Sequence, residues 1–124
     1  MENQAIKTDF NFQTVMLIAL AIGLVTGLTL LGIHQVQMSD PYVRQVMELV
    51  GDPEQGKAIF VMNCSGCHGL DGAGEVGPSL WRVSDRRSQI SLIHQITSGR
   101  TPPMPKFQAS PAEMADLLSF LNTL

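Results

Sequence analysis

The chain has 124 residues, a formal net charge of −3 and only two cysteines. That length accommodates one domain with appendages. The nearly balanced charge gives no basic field for nucleic acid, so no nucleic-acid partner is expected. Two cysteines are too few for a disulfide scaffold or a four-cysteine metal site.

In chain order, residues 1–13 form a polar tail, expected to lie on the cytoplasmic or stromal side of a membrane. Residues 14–34 are predicted to be a transmembrane helix, because Val15 to Ile33 contains no charged residue. Such a run rises about 28 Å as a helix, close to the thickness of a bilayer's hydrocarbon core. A cleaved signal peptide is the competing reading. Its small-x-small site, Ala19-Leu20-Ala21, would fall inside the apolar run rather than after it. Glu2, Lys7 and Asp9 in the tail give no clear charge bias for orientation. Ala19, Gly23 and Gly27 recur at four-residue spacing. They form either a small-residue face for a partner helix or the ordinary glycine content of membrane helices.

Residues 35–51 read as a connector with a short helix. Asp40 caps it, Pro41 takes its first turn, Val43, Val46, Met47 and Val50 make an apolar stripe, and Gly51 ends it. Residues 52–124 form the remaining domain and show helices and loops, with no strand pattern. Asp52-Pro53-Glu54-Gln55 opens a helix, with Gln55 at the capping-box position. Ile59, Phe60 and Met62 follow on that helix, and Met62 reads as core. Ser88 to Ser98 is predicted to be helical, closed by Gly99. Ser110-Pro111-Ala112-Glu113 is a capping box that starts a last helix, with Met114, Leu117, Leu118 and Leu121 as its apolar face. The fold class is therefore all-α, placed after a single N-terminal membrane helix.

Between the first and second of these domain helices stands Cys64-Ser65-Gly66-Cys67-His68. This Cys-x-x-Cys-His spacing attaches a c-type haem. Two thiols three positions apart can each form a thioether with one vinyl group of a single haem, and the adjacent histidine becomes an axial ligand. A dithiol redox pair, half of a zinc site and a Cys64–Cys67 disulfide are the other readings. The first lacks a βαβ setting. The second lacks further ligands, since His34 and His94 stand alone. A small domain gains a core when a large apolar cofactor is built into it. One haem c, held through Cys64 and Cys67 with His68 on the iron, is the expected cofactor.

Of the seven methionines, Met104 is the one in a proline-stiffened loop after the motif. Pro103 and Pro105 restrict its backbone, which favours Met104 as the second axial ligand. His94 is the other candidate. His/Met ligation raises the reduction potential relative to bis-histidine and leaves no open site for substrate, so an electron carrier rather than an enzyme is expected. Arg82, Arg86 and Arg87 are candidates to pair with a haem propionate or to be a solvated basic loop. Trp81 is a candidate for the haem pocket or for ordinary core.

Four ordered segments resemble the class I c-type cytochromes. They are Gly56 and Phe60 leading into Cys64-Ser65-Gly66-Cys67-His68-Gly69; Gly77-Pro78-Ser79-Leu80; Gly99-Arg100-Thr101-Pro102-Pro103-Met104-Pro105; and Leu117-Leu118-Ser119-Phe120-Leu121. The resemblance implies that the Pro78 carbonyl accepts a hydrogen bond from His68, and that Leu80 packs on the haem. It also implies that the terminal helix crosses the first near Gly56 and Phe60. With its anchor and its Asp40-Pro41-Tyr42-Val43 connector, the chain is similar to the small membrane-anchored cytochrome cM family of cyanobacteria. That likeness implies a tethered one-electron carrier in respiration or photosynthesis, in a plasma or thylakoid membrane, with the haem domain in the periplasm or thylakoid lumen. Its implied partners are the membrane and redox proteins such as a cytochrome oxidase, a cytochrome bc-type complex, a photosystem or a soluble carrier. A fixed or regulatory haem subunit of a larger membrane complex is the alternative.

Overall fold

The protein is described by a computed structural model, and the residues described are 11–124. The expectations for the first ten residues lie outside the described range. The chain divides between Val36 and Gln37 into two compact units, described separately below.

The first unit is a single helix, α1 (Phe12–Met38), which runs two residues into the second unit. It starts two residues before and ends four residues beyond the segment expected from hydropathy. Asp40-Pro41 stops it, because the residue before a proline is pushed out of helical geometry. Phe12–Val36 is long and apolar enough to cross a membrane, with a mean hydropathy of 2.4. Its apolar side chains are exposed throughout. The Thr26 and Thr29 hydroxyls donate to the carbonyls of Ile22 and Val25 at 2.8 and 2.7 Å. Polar groups satisfied within their own helix suit an environment without water.

The second unit holds the other helices: α2 (Pro41–Glu48), α3 (Pro53–Asn63), α4 (Ser65–His68), α5 (Val83–Arg86), α6 (Gln89–Ser98) and α7 (Pro111–Leu121). No strand occurs among the described residues. The expected caps are present on α2, α3, α6 and α7. Asp40, Asp52 and Ser88 accept from Tyr42, Glu54 and Ser91 backbone N–H groups, and Ser110 with Glu113 forms the full capping box. Gly99 closes α6 in the left-handed region.

The box expected with Gln55 does not form on α3. Instead the Asp52 N–H donates to Asp116 Oδ1 on α7 at 2.7 Å, a tertiary partner taking the place of the local one. The helix α2 also ends earlier than expected. Leu49 leaves it in extended geometry, so Val50 is fully exposed and Met47 is mostly outside the core. Val43 and Val46 remain buried against the core, and Tyr42 donates to the Ala109 carbonyl at 2.9 Å.

The core is built around α7, which buries Met114, Ala115, Leu117, Leu118, Phe120 and Leu121. Its crossing with α3 requires a glycine. A Cβ on Gly56 would overlap the Asp116 carbonyl and lie 2.8 Å from Phe120 Cβ. One turn on, Phe60 is fully buried, its ring centroid 5.2 Å from that of Phe120 in a tilted arrangement. Met62 lies on the opposite face of α3 and is 82% exposed, which corrects its reading as core. Two residues separate it from Phe60, about 200° around a helix. Leu92, Ile93 and Ile96 of α6, with Val83, complete the core.

Candidate functional site

The attachment motif begins where α3 ends. Cys64 N–H still donates to the Phe60 carbonyl at 2.8 Å, and the Cys67 and His68 N–H groups then close a single turn onto the Cys64 carbonyl at 3.2 and 3.0 Å. Cys64 stands at the N-cap of this turn, α4, which carries the Cys67 thiol and the imidazole. Cys64 is half-buried and Cys67 exposed, and both are free. Burial, and secondarily the Cys67 thiol, pushes the Cys64 thiol up to about 11, so it stays protonated at neutral pH.

The glycine-rich segment after the turn folds back on it. Gly74 N–H donates to the His68 carbonyl at 2.8 Å, Gly77 N–H to the Cys67 carbonyl at 2.7 Å, and Leu80 N–H to the Gly72 carbonyl at 2.8 Å. The result places the Pro78 carbonyl 2.8 Å from His68 Nδ1. A carbonyl only accepts, so Nδ1 carries the proton and the Nε2 lone pair is left for a metal. Gly77 lies close against the ring, and a Cβ there would stand 2.7 Å from His68 Cε1.

Leu80 is half-buried and packs against the core, as does Met104. Met104 is held from α6, where Gln95 Nε2 donates to its Sδ at 3.4 Å. Its own N–H closes the proline loop onto the Thr101 carbonyl at 3.0 Å. The structure thus joins Cys64, Cys67, His68 and Pro78 into one hydrogen-bonded turn, while Met104 arrives on a separate loop. Sequence reasoning missed Gln95. A glutamine on a helix carries no signal of its own, and its partner becomes visible only when the loop returns. His94 Nε2 is buried with no hydrogen-bond partner among the described residues.

The three arginines differ in how far they are committed. Arg86 donates to the Ser79 and Trp81 carbonyls at 3.2 and 2.9 Å, Arg82 pairs with Asp85 at 2.7 Å, and Arg87 reaches Ser91 at 3.5 Å. Arg86 therefore braces the loop around Trp81, while Arg82 is paired within an exposed helical turn. Trp81 is 54% exposed, which removes the core reading, and its indole donates to the Asp71 carbonyl at 3.0 Å.

The donor set fits a haem. Two thiols share one turn, an imidazole has its tautomer fixed by a carbonyl, and a thioether is half-buried on a stiff loop. Among the described residues no cluster of three or more His, Cys, Asp or Glu side chains could hold a metal ion, which leaves the zinc reading without ligands.

Fold and motif together define the class, a class I c-type cytochrome domain. The family described as "Cytochrome C oxidase, cbb3-type, subunit III" matches residues 51–121. The chain is 60% identical over 85 residues to a cytochrome c-553-like protein of Synechocystis sp., a match covering 68% of this chain and 81% of that protein. It also resembles the crystal structure of cytochrome cL from Hyphomicrobium denitrificans, with a TM-score of 0.51 and 28% identity over 68% of this chain. The match spans 58% of that structure's length. The chain belongs to the c-type cytochrome family. It is a haem electron-transfer protein and not an enzyme, and its family implies a covalently bound haem c.

Proposed function

We propose that the protein is a membrane-tethered one-electron carrier with His/Met axial ligation. The observation that carries this reading is the hydrogen bond between His68 Nδ1 and the Pro78 carbonyl, which leaves Nε2 as the one ring donor for iron. A haem bound at this site supplies a one-electron iron couple. Cys64 and Cys67 would hold it by thioethers, and His68 and Met104 would serve as the iron's side-chain ligands. Leu80 and Pro78 belong to the same pocket, Leu80 by packing and Pro78 by fixing the histidine.

Filling both axial positions with side chains keeps small molecules off the iron, and ligands held by a folded scaffold move little when the charge changes. Both properties suit a carrier. The domain boundaries follow the same reading: a tail over 1–13, a membrane helix over 14–34, a connector over 35–51 and a haem domain over 52–124. Residues before the anchor face the cytoplasm or stroma, and the haem domain faces the periplasm or thylakoid lumen, where c-type haem is attached. The tether would raise the effective concentration near membrane partners such as an oxidase, a cytochrome bc-type complex or a photosystem. The test is Met104→Ala in the holoprotein. The methionine-to-iron band should vanish and carbon monoxide should begin to bind. A wild-type protein whose reduced spectrum already changes with carbon monoxide would overturn the reading.

One observation favours a second reading, a fixed subunit of a larger complex. The matching family is named for a subunit of an oxidase. The Ala19, Gly23 and Gly27 face would give such a complex a helix to dock on, since small residues at four-residue spacing let two membrane helices approach closely. Detergent extraction followed by native sizing separates the two: a stable co-migrating assembly supports the subunit and a lone tethered chain the carrier.

A further inference from the structure

We infer that the corner formed by Met47, Leu49 and Val50 rests on the lipid surface and leaves the attachment end of the domain free for redox partners. The inference rests on α1 being a membrane anchor.

The corner is apolar, exposed and rigid. Val50 is fully exposed, and Leu49 and Met47 are exposed beside it. They are not loose ends. Val43 and Val46 pin α2 into the core on one side, and Asp52 caps α3 on the other. Between them Gly51 is pressed against α7, where a Cβ would overlap the Ala115 carbonyl. A rigid apolar corner loses little conformational freedom when something covers it.

Two observations name lipid as the cover. The first is reach. α1 stays helical to Met38 and α2 begins at Pro41, so Ser39 and Asp40 alone join them. Three residue steps span at most about 11 Å, and the eight residues of α2 rise about 12 Å. A surface tied this closely to a membrane span has the bilayer within reach at all times. The second is charge. A shallow crevice beside the corner is lined by the corner residues with Gln89, Ser119 and Asn122, and no charged side chain lines it. Arg44 and Glu48 are exposed on α2 outside that lining. Pressing such a surface among headgroups therefore strips water from no ion, while its neutral polar rim stays hydrated. The crevice, at about 150 Å³, is also too small for a helix of about 10 Å diameter, which argues against an inserted protein segment.

The consequence is an orientation. The corner precedes α3 and the attachment motif follows it, and this 11-residue helix is about 16 Å long. Lipid under Val50 leaves the turn from Cys64 to His68 up to a helix length away, open to a partner. The exposed side chains of Met62, Leu70, Val76 and Trp81 lie at or beyond that far end of α3 in the chain.

The experiment uses the full-length holoprotein, reconstituted at a low protein-to-lipid ratio into phosphatidylcholine vesicles. Its thioethers consume Cys64 and Cys67, so one introduced cysteine takes a benzophenone photocrosslinker. The sites are Val50→Cys, Met62→Cys and, within the anchor, Leu24→Cys, all on exposed side chains. After irradiation the intact mass reports the fraction of chain carrying one added lipid. The adduct at Val50 should exceed that at Met62 several-fold, and Leu49→Glu in the Val50→Cys chain should bring it down toward the Met62 level. Equal adducts at Val50 and Met62, with a strong adduct at Leu24, would overturn the contact and leave the anchor standing. An adduct at Val50 indifferent to Leu49→Glu would reduce it to tethered proximity and overturn the contact too. A covalent dimer formed from Val50 in place of a lipid adduct would assign the corner to a second copy of the chain. No lipid on Leu24 would overturn the anchor and the inference with it.

Discussion

The α3/α7 crossing and the attachment segment from Cys64 to Arg82 meet at the end of α3 and are held together by different means. The crossing is a side-chain structure. Phe60, Met114, Leu117 and their neighbours are buried, and Gly56 lets the two backbones touch. The attachment segment is a backbone structure. None of the buried hydrophobic side chains among the described residues comes from 61–82, and its shape rests on bonds such as Gly77 to Cys67 and Pro78 to His68. One region folds by excluding water, and the other is shaped to receive a large apolar group. A mutation in the first should therefore act on stability, and a mutation in the second on the haem.

That contrast can be broken or sharpened. The largest effect is expected from Phe60→Ala, which empties a fully buried aromatic site. It should cost about 3–5 kcal/mol in denaturant unfolding, with a haem spectrum unchanged in whatever fraction folds. Gly77→Ala should do the opposite. Its Cβ would press on His68 Cε1 at 2.7 Å, so axial ligation and midpoint potential should change while helix content and core unfolding stay near wild type. A purely global loss of stability would blur the distinction.

Smaller effects belong to the last helix. Ser110→Ala removes the N-cap of α7 and should cost about 1 kcal/mol. The Ser110 side chain, then its backbone N–H, hold Glu113 below the usual carboxylate value. A carboxyl depressed in the folded state contributes stability above its unfolded value and loses it as pH falls through the folded value. A melting series from about pH 6 to about pH 3 should show this component of acid loss in wild type and not in Glu113→Gln. Equal acid loss in the two would remove the capping box from the account.

The same contrast decides what the sequence made legible. Covalent neighbours carry their information locally. The Asp40-Pro41 and Ser110-Pro111 starts and the Gly99 stop all formed as read. What depended on packing between distant segments was not legible. The Asp52 N–H found Asp116 rather than Gln55, Met62 turned outward while Phe60 turned in, and the short helix α5 gave no periodic signal at four residues. At the candidate site, the family likeness anticipated the contact of Pro78 with His68, because it lies within one short segment. Gln95 needed the fold, since only the returning loop brings Met104 to it.

The central claim is that Cys64 and Cys67 hold one haem covalently on a turn that presents His68. Its most direct test is the intact mass of the full chain, produced in cells that mature c-type cytochromes, combined with haem staining after denaturing electrophoresis. The account expects one haem added per chain, retained through denaturation and lost in the Cys64→Ser, Cys67→Ser double variant. A chain whose haem is released on denaturation, or whose mass shows only a Cys64–Cys67 disulfide, would contradict it.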